Sequence, residues 1–250
     1  MTRRPARGRR TLLLVFALGV LVVLLVLPVR TTLVRAALLA GGTTALVLAV
    51  SVVPRLVRRG LGVVLLLAVV WFAMPTGRSA DPERVRSTYI TYVESRLGTL
   101  YVWGGETHLG IDCSGLVRLP LASALFREGL RAGDLGAVAH AARLWWFDAS
   151  AAELGRGYSG QTVAIGTFPS TKAIPADTLA PGDFVVTTDG RHAMVYAGES
   201  RWIEADPALE HVAELDARTD DNAWLQLPVQ VMRWRMLETG SGAEADSPQP

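Results

Sequence analysis

The stretch GIDCSGL at residues 110–116 contains Cys113, the only cysteine in the 250-residue chain. A lone cysteine cannot form a disulfide within its own chain, so the thiol is packing, part of a ligand set or a nucleophile. The apolar pattern that follows predicts a helix from Leu116 to about Gly129. Cys113 is therefore expected where a loop enters a helix, and the positive end of the helix dipole there favours a thiolate.

Charge is distributed unevenly along the chain. Residues 1–78 contain eleven arginines and no acidic residue, whereas residues 79–250 contain 23 acidic and 14 basic residues. The sequence pI near 9.0 thus reflects the N-terminal part alone. A nucleic-acid-binding domain would carry a basic surface on its folded part, so the sequence predicts no nucleic-acid partner.

Three apolar runs in the N-terminal part predict about three transmembrane helices, near residues 11–28, 36–53 and 60–75, and hence a lipid bilayer as partner. A membrane-spanning helix needs about 20 apolar residues, and the third run is short of that without its flanks. Two alternatives stay open. The second and third runs could form a buried helical hairpin, and the first could be a cleaved signal peptide.

Arginine placement predicts the orientation, because basic residues are retained on the cytoplasmic side. Five arginines precede the first run and three lie within residues 55–59, whereas residues 30–35 contain two and only Arg78 lies close after the third run. This places everything after residue 78 outside the cytoplasm, in a multi-pass protein of the cell membrane. Exported domains usually pair their cysteines, so an unpaired thiol there is more plausibly a functional one.

The remaining chain predicts an α+β domain over residues 79–238, after a membrane region at 1–78 and before a disordered tail at 239–250. Helices are expected from Pro82, with Asp81 as N-cap, and at residues 116–129 and 135–147, with Pro120 kinking or restarting the second. Strands are expected at residues 183–189, 192–199, 201–206 and 229–237. No His/Cys cluster has metal-site spacing, so no metal or cofactor is predicted. Loop or surface roles are expected for the other histidines, His108, His140 and His211.

Two residues could serve Cys113 chemically. His192 follows the turn at residues 189–191 and could act as a general base. Glu204, on the next predicted strand, could stand opposite His192 and orient its imidazole. From composition and spacing alone the plainer interpretations stay open: buried filler for Cys113, a turn residue for His192 and a solvated strand end for Glu204.

Five segments together resemble the NlpC-type cell-wall cysteine peptidases, a family with a papain-like fold. They occur in the family's order over about residues 84–206: LGTLYVWGG (97–105), GIDCSGLV (110–117), LAPGDFVV (179–186), HAMVYAGE (192–199) and WIEA (202–205). The resemblance implies a papain-like domain in which the nucleophile starts a helix that packs on an antiparallel sheet.

Catalytic roles follow from the resemblance position by position. Cys113 corresponds to the nucleophile and His192 to the general base. Tyr101 corresponds to the tyrosine whose hydroxyl lies near the nucleophile and helps to line the oxyanion site. Glu204 occupies the third position, where the family usually has His, Asn or Gln.

Substrate-binding roles follow in the same way. Asp112 and Ser114 correspond to positions that, in several family members, bind the free amino end of a stem peptide. Trp103 and Gly104 correspond to the turn that shapes the cleft, although plain turn and core roles fit them equally well.

Two departures from the family pattern remain. A carboxylate at Glu204 can stabilise an imidazolium, and Asp206, two residues on, is a weaker candidate for the same role. Cys113 and His192 are 79 residues apart, a long spacing for the family. The extra length, within residues 118–178, includes Trp145 and Trp146 and could form a lid or wall of the cleft or pack against the membrane part.

The sequence thus predicts a membrane-anchored cysteine endopeptidase without cofactors that hydrolyses peptidoglycan stem peptides. The resemblance implies a γ-D-glutamyl–diamino acid bond as the target and Cys113, His192 and Glu204 as the catalytic triad. Two alternatives are an amidase or acyltransferase on the same fold, and an inactive membrane-anchored module that binds the cell wall or serves as a scaffold.

Overall fold

The computed structural model describes residues 5–73 and 79–238, and the chain divides between residues 77 and 78 into two compact units. The predicted tail at 239–250 lies outside the described residues. The N-terminal unit consists of three helices, α1 (Pro5–Val26), α2 (Thr32–Val52) and α3 (Arg55–Ala73). Thr31 caps α2 by accepting a hydrogen bond from the backbone N–H of Val34 at 3.3 Å.

Two helices of the N-terminal unit, not the predicted three, are long and apolar enough among the described residues to cross a membrane. They cover Gly8–Val26 and Thr32–Ser51, with mean hydropathies of 2.3 and 1.9. Helix α3 begins with three arginines in its first turns, so its apolar part at residues 60–73 is shorter than the roughly 17 residues that a span requires. Helices near an N-terminus with this composition occur both as membrane anchors and as signal sequences.

The C-terminal unit starts with helix α4 (Pro82–Glu94), which Asp81 caps as predicted, and a short hairpin of β1 (Glu106–Thr107) and β2 (Gly110–Ile111). Helix α5 (Cys113–Ala132) follows, with Asp112 as N-cap and Gly133 in the left-handed conformation as C-cap. Pro120 does not restart the helix as predicted, because α5 runs without a break from Cys113 to Ala132. Nearly every residue from 113 to 125 is buried, and this packing outweighs the one backbone hydrogen bond that proline removes.

Two further helices, α6 (Leu135–Trp146) and α7 (Ala151–Gly155), precede a six-stranded antiparallel sheet. The strands are β3 (Thr162–Phe168), β4 (Phe184–Thr187), β5 (Ala193–Gly198), β6 (Arg201–Asp206), β7 (His211–Asp216) and, after the one-turn helix α8 (Ala223–Gln226), β8 (Val229–Trp234). Their order across the sheet is β3-β8-β4-β5-β6-β7. The domain is α+β as predicted, and its sheet contains two strands, β3 and β7, that the sequence analysis did not predict.

Each face of this sheet packs on its own apolar cluster. On one face, side chains such as Phe184, Val195 and Ile203 join the cluster formed with α4 and α5. On the other, Met194, Tyr196 and Trp202 pack with residues of α8 and β8. Because His192 and Glu204 have the same parity along their strands as Met194 and Trp202, both side chains belong to this second face, at the end of the sheet nearest the start of α5.

Candidate active site

Asp112 fixes the position of Cys113. One oxygen of its carboxylate accepts hydrogen bonds from the backbone N–H of Gly115 at 2.6 Å and the hydroxyl of Ser114 at 2.9 Å. The other accepts from the backbone N–H of Gly104 at 3.0 Å. Asp112 therefore caps α5 and ties the preceding turn to it, so that Cys113 begins the first helical turn with its side chain 8% exposed.

Glycines allow the turn and the helix to approach each other closely. A Cβ on Gly115 would lie 2.8 Å from the carbonyl oxygen of Gly105. A Cβ on Gly105 would lie 2.7 Å from the backbone of Gly110 and Val102. Gly104 has a φ of 69°, in the left-handed region that other residues adopt at a cost. These contacts give a physical reason for glycine in both the WGG and the CSG motifs.

His192 lies directly before β5, and a short hairpin from β4 positions it. Its backbone N–H donates to the hydroxyl of Thr187 at 3.0 Å, and the backbone N–H of Thr187 donates to its carbonyl at 3.0 Å. The Nε2 atom of the ring lies 2.6 Å from Oε2 of Glu204. The two residues are 1% and 0% exposed, so the pair is screened from water.

Cys113 is the other partner of the His192 ring. Burial by itself would lower the pKa of His192, but hydrogen bonds to Cys113 and Glu204 and their negative charges outweigh it and raise the pKa to about 9. Since Glu204 holds Nε2, the Nδ1 atom is the one left for the thiol. Burial raises the pKa of Glu204 above its usual range, and contact with His192 offsets this only in part. The structure thus brings a thiol, an imidazole and a carboxylate together in that order.

Asp206 has a different place from Glu204. Its carboxylate accepts from the backbone N–H of Ala208 at 2.6 Å and of Leu209 at 3.3 Å, so it holds the turn that follows β6. These bonds, and one from Asn222, lower its pKa despite burial. Of the two acidic residues considered from the sequence, Glu204 is the one in contact with His192.

The family model that describes the NlpC/P60 family matches residues 98–233, which contain all of these elements from the turn before β1 to β8. The chain belongs to the NlpC/P60 family. The resemblance seen in the sequence is therefore confirmed, together with the helix packed on an antiparallel sheet. No curated protein matches the chain.

Solved structures similar to this NlpC/P60 chain include NlpC1 from Trichomonas vaginalis, at 18% identity and a TM-score of 0.40 over 64% of this chain and 48% of that one. An NlpC/P60 family protein from Bacillus cereus has 16% identity and a TM-score of 0.40 over 60% and 40%. The peptidoglycan hydrolase RipB from Mycobacterium tuberculosis has 18% identity and a TM-score of 0.38 over 64% and 68%. The chain thus spans half or less of the first two of these structures.

A cleft of about 710 Å³ opens over Cys113 and His192. Tyr101, Trp103, Gly104 and Ser114, all predicted to lie at the site, line it. The Trp103 side chain is 81% exposed, as expected of a rim residue rather than a core residue. Burial, then the negative charges of Cys113 and two nearby aspartates, raise the pKa of Tyr101 to about 12, so its hydroxyl keeps its proton and can donate it in a hydrogen bond.

The long insert of this NlpC/P60 domain forms one wall of the cleft. That wall consists of residues 148–151 and Glu153, in and before α7. Arg118, fully buried in α5, donates to Asp148 at 2.9 Å and also to Glu106 and the carbonyl of Leu144. The two tryptophans of α6 are not part of this wall. Trp145 lines a separate groove of about 530 Å³ between α4, α5 and α6.

Two residues of the site were missed from the sequence. Asn222 donates to Oε1 of Glu204 and to Oδ2 of Asp206, each at 3.0 Å. The Trp224 ring stacks on the His192 ring, with centroids 4.1 Å apart and planes 20° from parallel. The sequence analysis assigns no role to Asn222, because its proximity to β6 depends on the sheet topology.

The other three histidines lie away from the cleft over Cys113. His211 contacts the carbonyl of Leu209 through Nδ1 at 2.7 Å, at the exposed start of β7. Burial lowers the pKa of both His108 and His140. Within residues 5–73 and 79–238, no group of three or more His, Cys, Asp or Glu residues is arranged to hold a metal ion.

Proposed function

We propose that this NlpC/P60 protein is a cysteine hydrolase that cleaves peptidoglycan stem peptides at the γ-D-glutamyl–diamino acid bond. The observation that carries the proposal is the contact sequence Cys113–His192–Glu204 at the N-terminus of α5, on the floor of an open cleft. A nucleophile, a base and a group that orients the base are what acyl transfer by a thiol requires. Similar structures include the peptidoglycan hydrolase RipB and the NlpC/p60 domain of the peptidoglycan hydrolase SagA.

The first half-reaction forms a thioester. In the resting pair Cys113 has already given its proton to His192, and the thiolate attacks the amide carbonyl carbon to form a C–S bond. As the tetrahedral intermediate collapses, the C–N bond breaks and the imidazolium gives its proton to the leaving amine. The pKa of about 9 keeps His192 protonated at neutral pH, ready for this step.

Negative charge on the carbonyl oxygen is stabilised by donors at the start of α5. Asp112 already engages the N–H groups of Gly115 and Leu116, through its carboxylate and its carbonyl. Among the described residues the N–H groups of Cys113 and Ser114 are thereby left for the oxyanion, and the Tyr101 hydroxyl is a third donor. Water, deprotonated by His192, then attacks the thioester, the C–S bond breaks, and the acid product and the thiol are released.

Charge in the cleft supports a substrate that carries ammonium groups. Asp112, Asp148 and Glu153 line it, and Arg191 is the arginine among the lining residues. A stem peptide with a free amino end and a diamino acid side chain offers such groups, and its carboxylates can reach Arg191. The proposed subsites for Asp112 and Ser114 fit this, since the carboxylate of Asp112 has acceptor capacity beyond its three hydrogen bonds.

The proposal includes anchoring of the domain outside the cytoplasm by the N-terminal helices. Helices α1 and α2 satisfy the length and composition of membrane spans, and the arginines that precede α1 favour a cytoplasmic N-terminus. Two spans alone would return the chain to the cytoplasm, and cleavage of α1 as a signal would not change this, so an outside domain requires either α3 to cross as well or only one of α1 and α2 to span. Protease protection of the full chain in sealed vesicles would decide the side, and protection of the domain inside would contradict the proposal.

The activity test compares the full chain, purified in mild detergent, with its Cys113→Ala variant on cell-wall muropeptides analysed by mass spectrometry. Wild type should release fragments cut between D-glutamate and the diamino acid, and Cys113→Ala should release none. Ser123→Ala, in the same helix but outside the cleft, is the control and should act as wild type. Products joined to an added amine would indicate a transferase instead, and intact muropeptides would contradict enzymatic function.

A further inference from the structure

We propose that Asn222 and Trp224 are positioning residues of the active site, which hold Glu204 and His192 in line with Cys113. The inference rests on the proposed function and adds to it a segment before and in α8 that lies outside the family's catalytic triad. Neither residue needs to touch the reacting atoms for this role. Each acts through a residue that does.

The Asn222 amide has no freedom to turn. Its Oδ1 accepts from the backbone N–H of Trp224 at 2.8 Å, which caps α8 and places Nδ2 on the opposite side. The two hydrogens of Nδ2 are then directed to Glu204 and Asp206, each at 3.0 Å. A carboxylamide that meets one donor and two acceptors uses the oxygen and both hydrogens, so the amide orientation is determined by its surroundings.

Asn222 donates to two buried carboxylates that also interact with each other directly. Glu204 and Asp206 project from the same face of β6 and are 0% and 2% exposed. Without a donor between them their like charges would repel or one carboxylate would take up a proton. Backbone N–H groups hold Asp206, so Asn222 transmits a fixed position to Oε1 of Glu204, whose other oxygen meets His192.

Trp224 covers one face of the His192 imidazole. Two neutral rings prefer offset or edge-to-face arrangements, whereas a cation over an indole face is attracted by the ring quadrupole. The near-parallel stack at 4.1 Å therefore favours the imidazolium and restricts rotation of the ring about its Cβ–Cγ bond. The titratable groups that face His192 are Cys113 from α5 and Glu204 from β6, and Trp224 is the uncharged partner from α8.

The test uses three variants of the full chain. Trp224→Leu removes the aromatic face, Trp224→Phe restores a smaller one, and Asn222→Ser keeps a residue that caps helices but lacks the amide donor. Trp202→Phe is the matched control, because Trp202 is a buried tryptophan of the same sheet face whose ring packs against Tyr196 instead, with the planes tilted by 51°. Histidine NMR titration and steady-state hydrolysis are measured for each, with activity corrected for the folded fraction.

We expect Trp224→Leu to lower the midpoint of the His192 titration by about one pH unit, with Trp224→Phe between it and wild type. Asn222→Ser should lower kcat about tenfold with little change in KM. Trp202→Phe should change neither quantity. Unchanged titration and kcat in all variants, with stability alone affected, would overturn the inference. If wild type itself hydrolyses nothing, the proposed function fails, and the NMR midpoints still decide the positioning roles.

Discussion

Replacing Glu204 with glutamine removes a charge from the site and keeps a hydrogen-bond acceptor for His192. The Nε2–Oε2 distance is 2.6 Å, so the two charge centres lie about 4 Å apart. At an effective dielectric constant of about 20 such a pair attracts by about 4 kcal/mol, equivalent to about three pKa units. The glutamine oxygen still accepts a hydrogen bond from His192 and so retains part of this attraction. Glu204→Gln should therefore lower the pKa of His192 from about 9 by about two units.

The pH dependence of hydrolysis should move with that pKa. The imidazolium donates the proton to the leaving amine, so activity falls as pH rises through the pKa of His192. Wild type should lose activity near pH 9, and Glu204→Gln should lose it near neutrality, with kcat at pH 7.5 about fourfold lower because about a quarter of the imidazole stays protonated. The folded-state pKa lies above the 6.5 of an ordinary histidine. The stability that this proton adds is therefore present below about pH 6.5 and lost as pH rises through 9.

Two measurements on the full chain check this prediction. Carbon-13 labelling of the imidazoles gives a titration curve for each of the four histidines, and His192→Ala identifies the signal of interest. Muropeptide hydrolysis from pH 5 to 10 gives the alkaline limb. Glu204→Leu, which also removes the acceptor, should lower kcat/KM at least a hundredfold. A Glu204→Gln enzyme whose titration midpoint and alkaline limb stay within half a unit of wild type would refute the reasoning.

Three further predictions concern residues that surround the triad. Arg118→Met should lower the free energy of unfolding by about 3–5 kcal/mol in urea titrations, because the buried carboxylate of Glu106 loses its cation. The control, Arg127→Met on the exposed side of α5, should lower it by less than about 0.5 kcal/mol. Equal losses would exclude the buried-pair explanation. Gly115→Ala should lower the unfolding free energy by about 1–3 kcal/mol, since its Cβ would clash with a carbonyl oxygen; wild-type stability would show that the turn can move away freely. Tyr101→Phe should lower kcat about a hundredfold at constant KM if the hydroxyl stabilises the oxyanion, and a change in KM alone would assign it to substrate binding.

Local sequence signals predicted those parts of the domain that are determined locally. The cap at Asp81, the helix that begins near Cys113 and the turn before His192 depend on residues that are near in sequence. Strands β3 and β7 were missed because they lie in stretches of mixed polarity, where pairing with a neighbouring strand rather than their own composition determines the conformation. Pro120 is a case in which burial overrode a local rule.

The sequence predicts the individual residues of the triad but not all of the residues that surround it. The family motifs point to Cys113, His192 and Glu204, which the sheet brings into contact. Asn222 and Trp224 follow Glu204 by about twenty residues and reach it only because the chain returns across the second face of the sheet after β7. No sequence spacing indicates that the chain crosses this face of the sheet again. Only the tertiary structure therefore shows that Asn222 and Trp224 lie beside the triad.

The charges of the site explain why a glutamate at the third position depends on its neighbours. Formation of the Cys113 thiolate adds a negative charge to a region that already holds Asp112, Glu204 and Asp206. The His192 imidazolium is the positive charge at the centre of this group, so the thiolate is stable only while the ring is protonated and in place. A neutral amide at the third position would need fewer hydrogen-bonding and charged partners. A buried carboxylate there needs both the imidazolium and the Asn222 donor to stay ionised. The glutamate therefore gives a more basic histidine at the cost of a larger network, and the residues of that network lie in the segment that leads into α8.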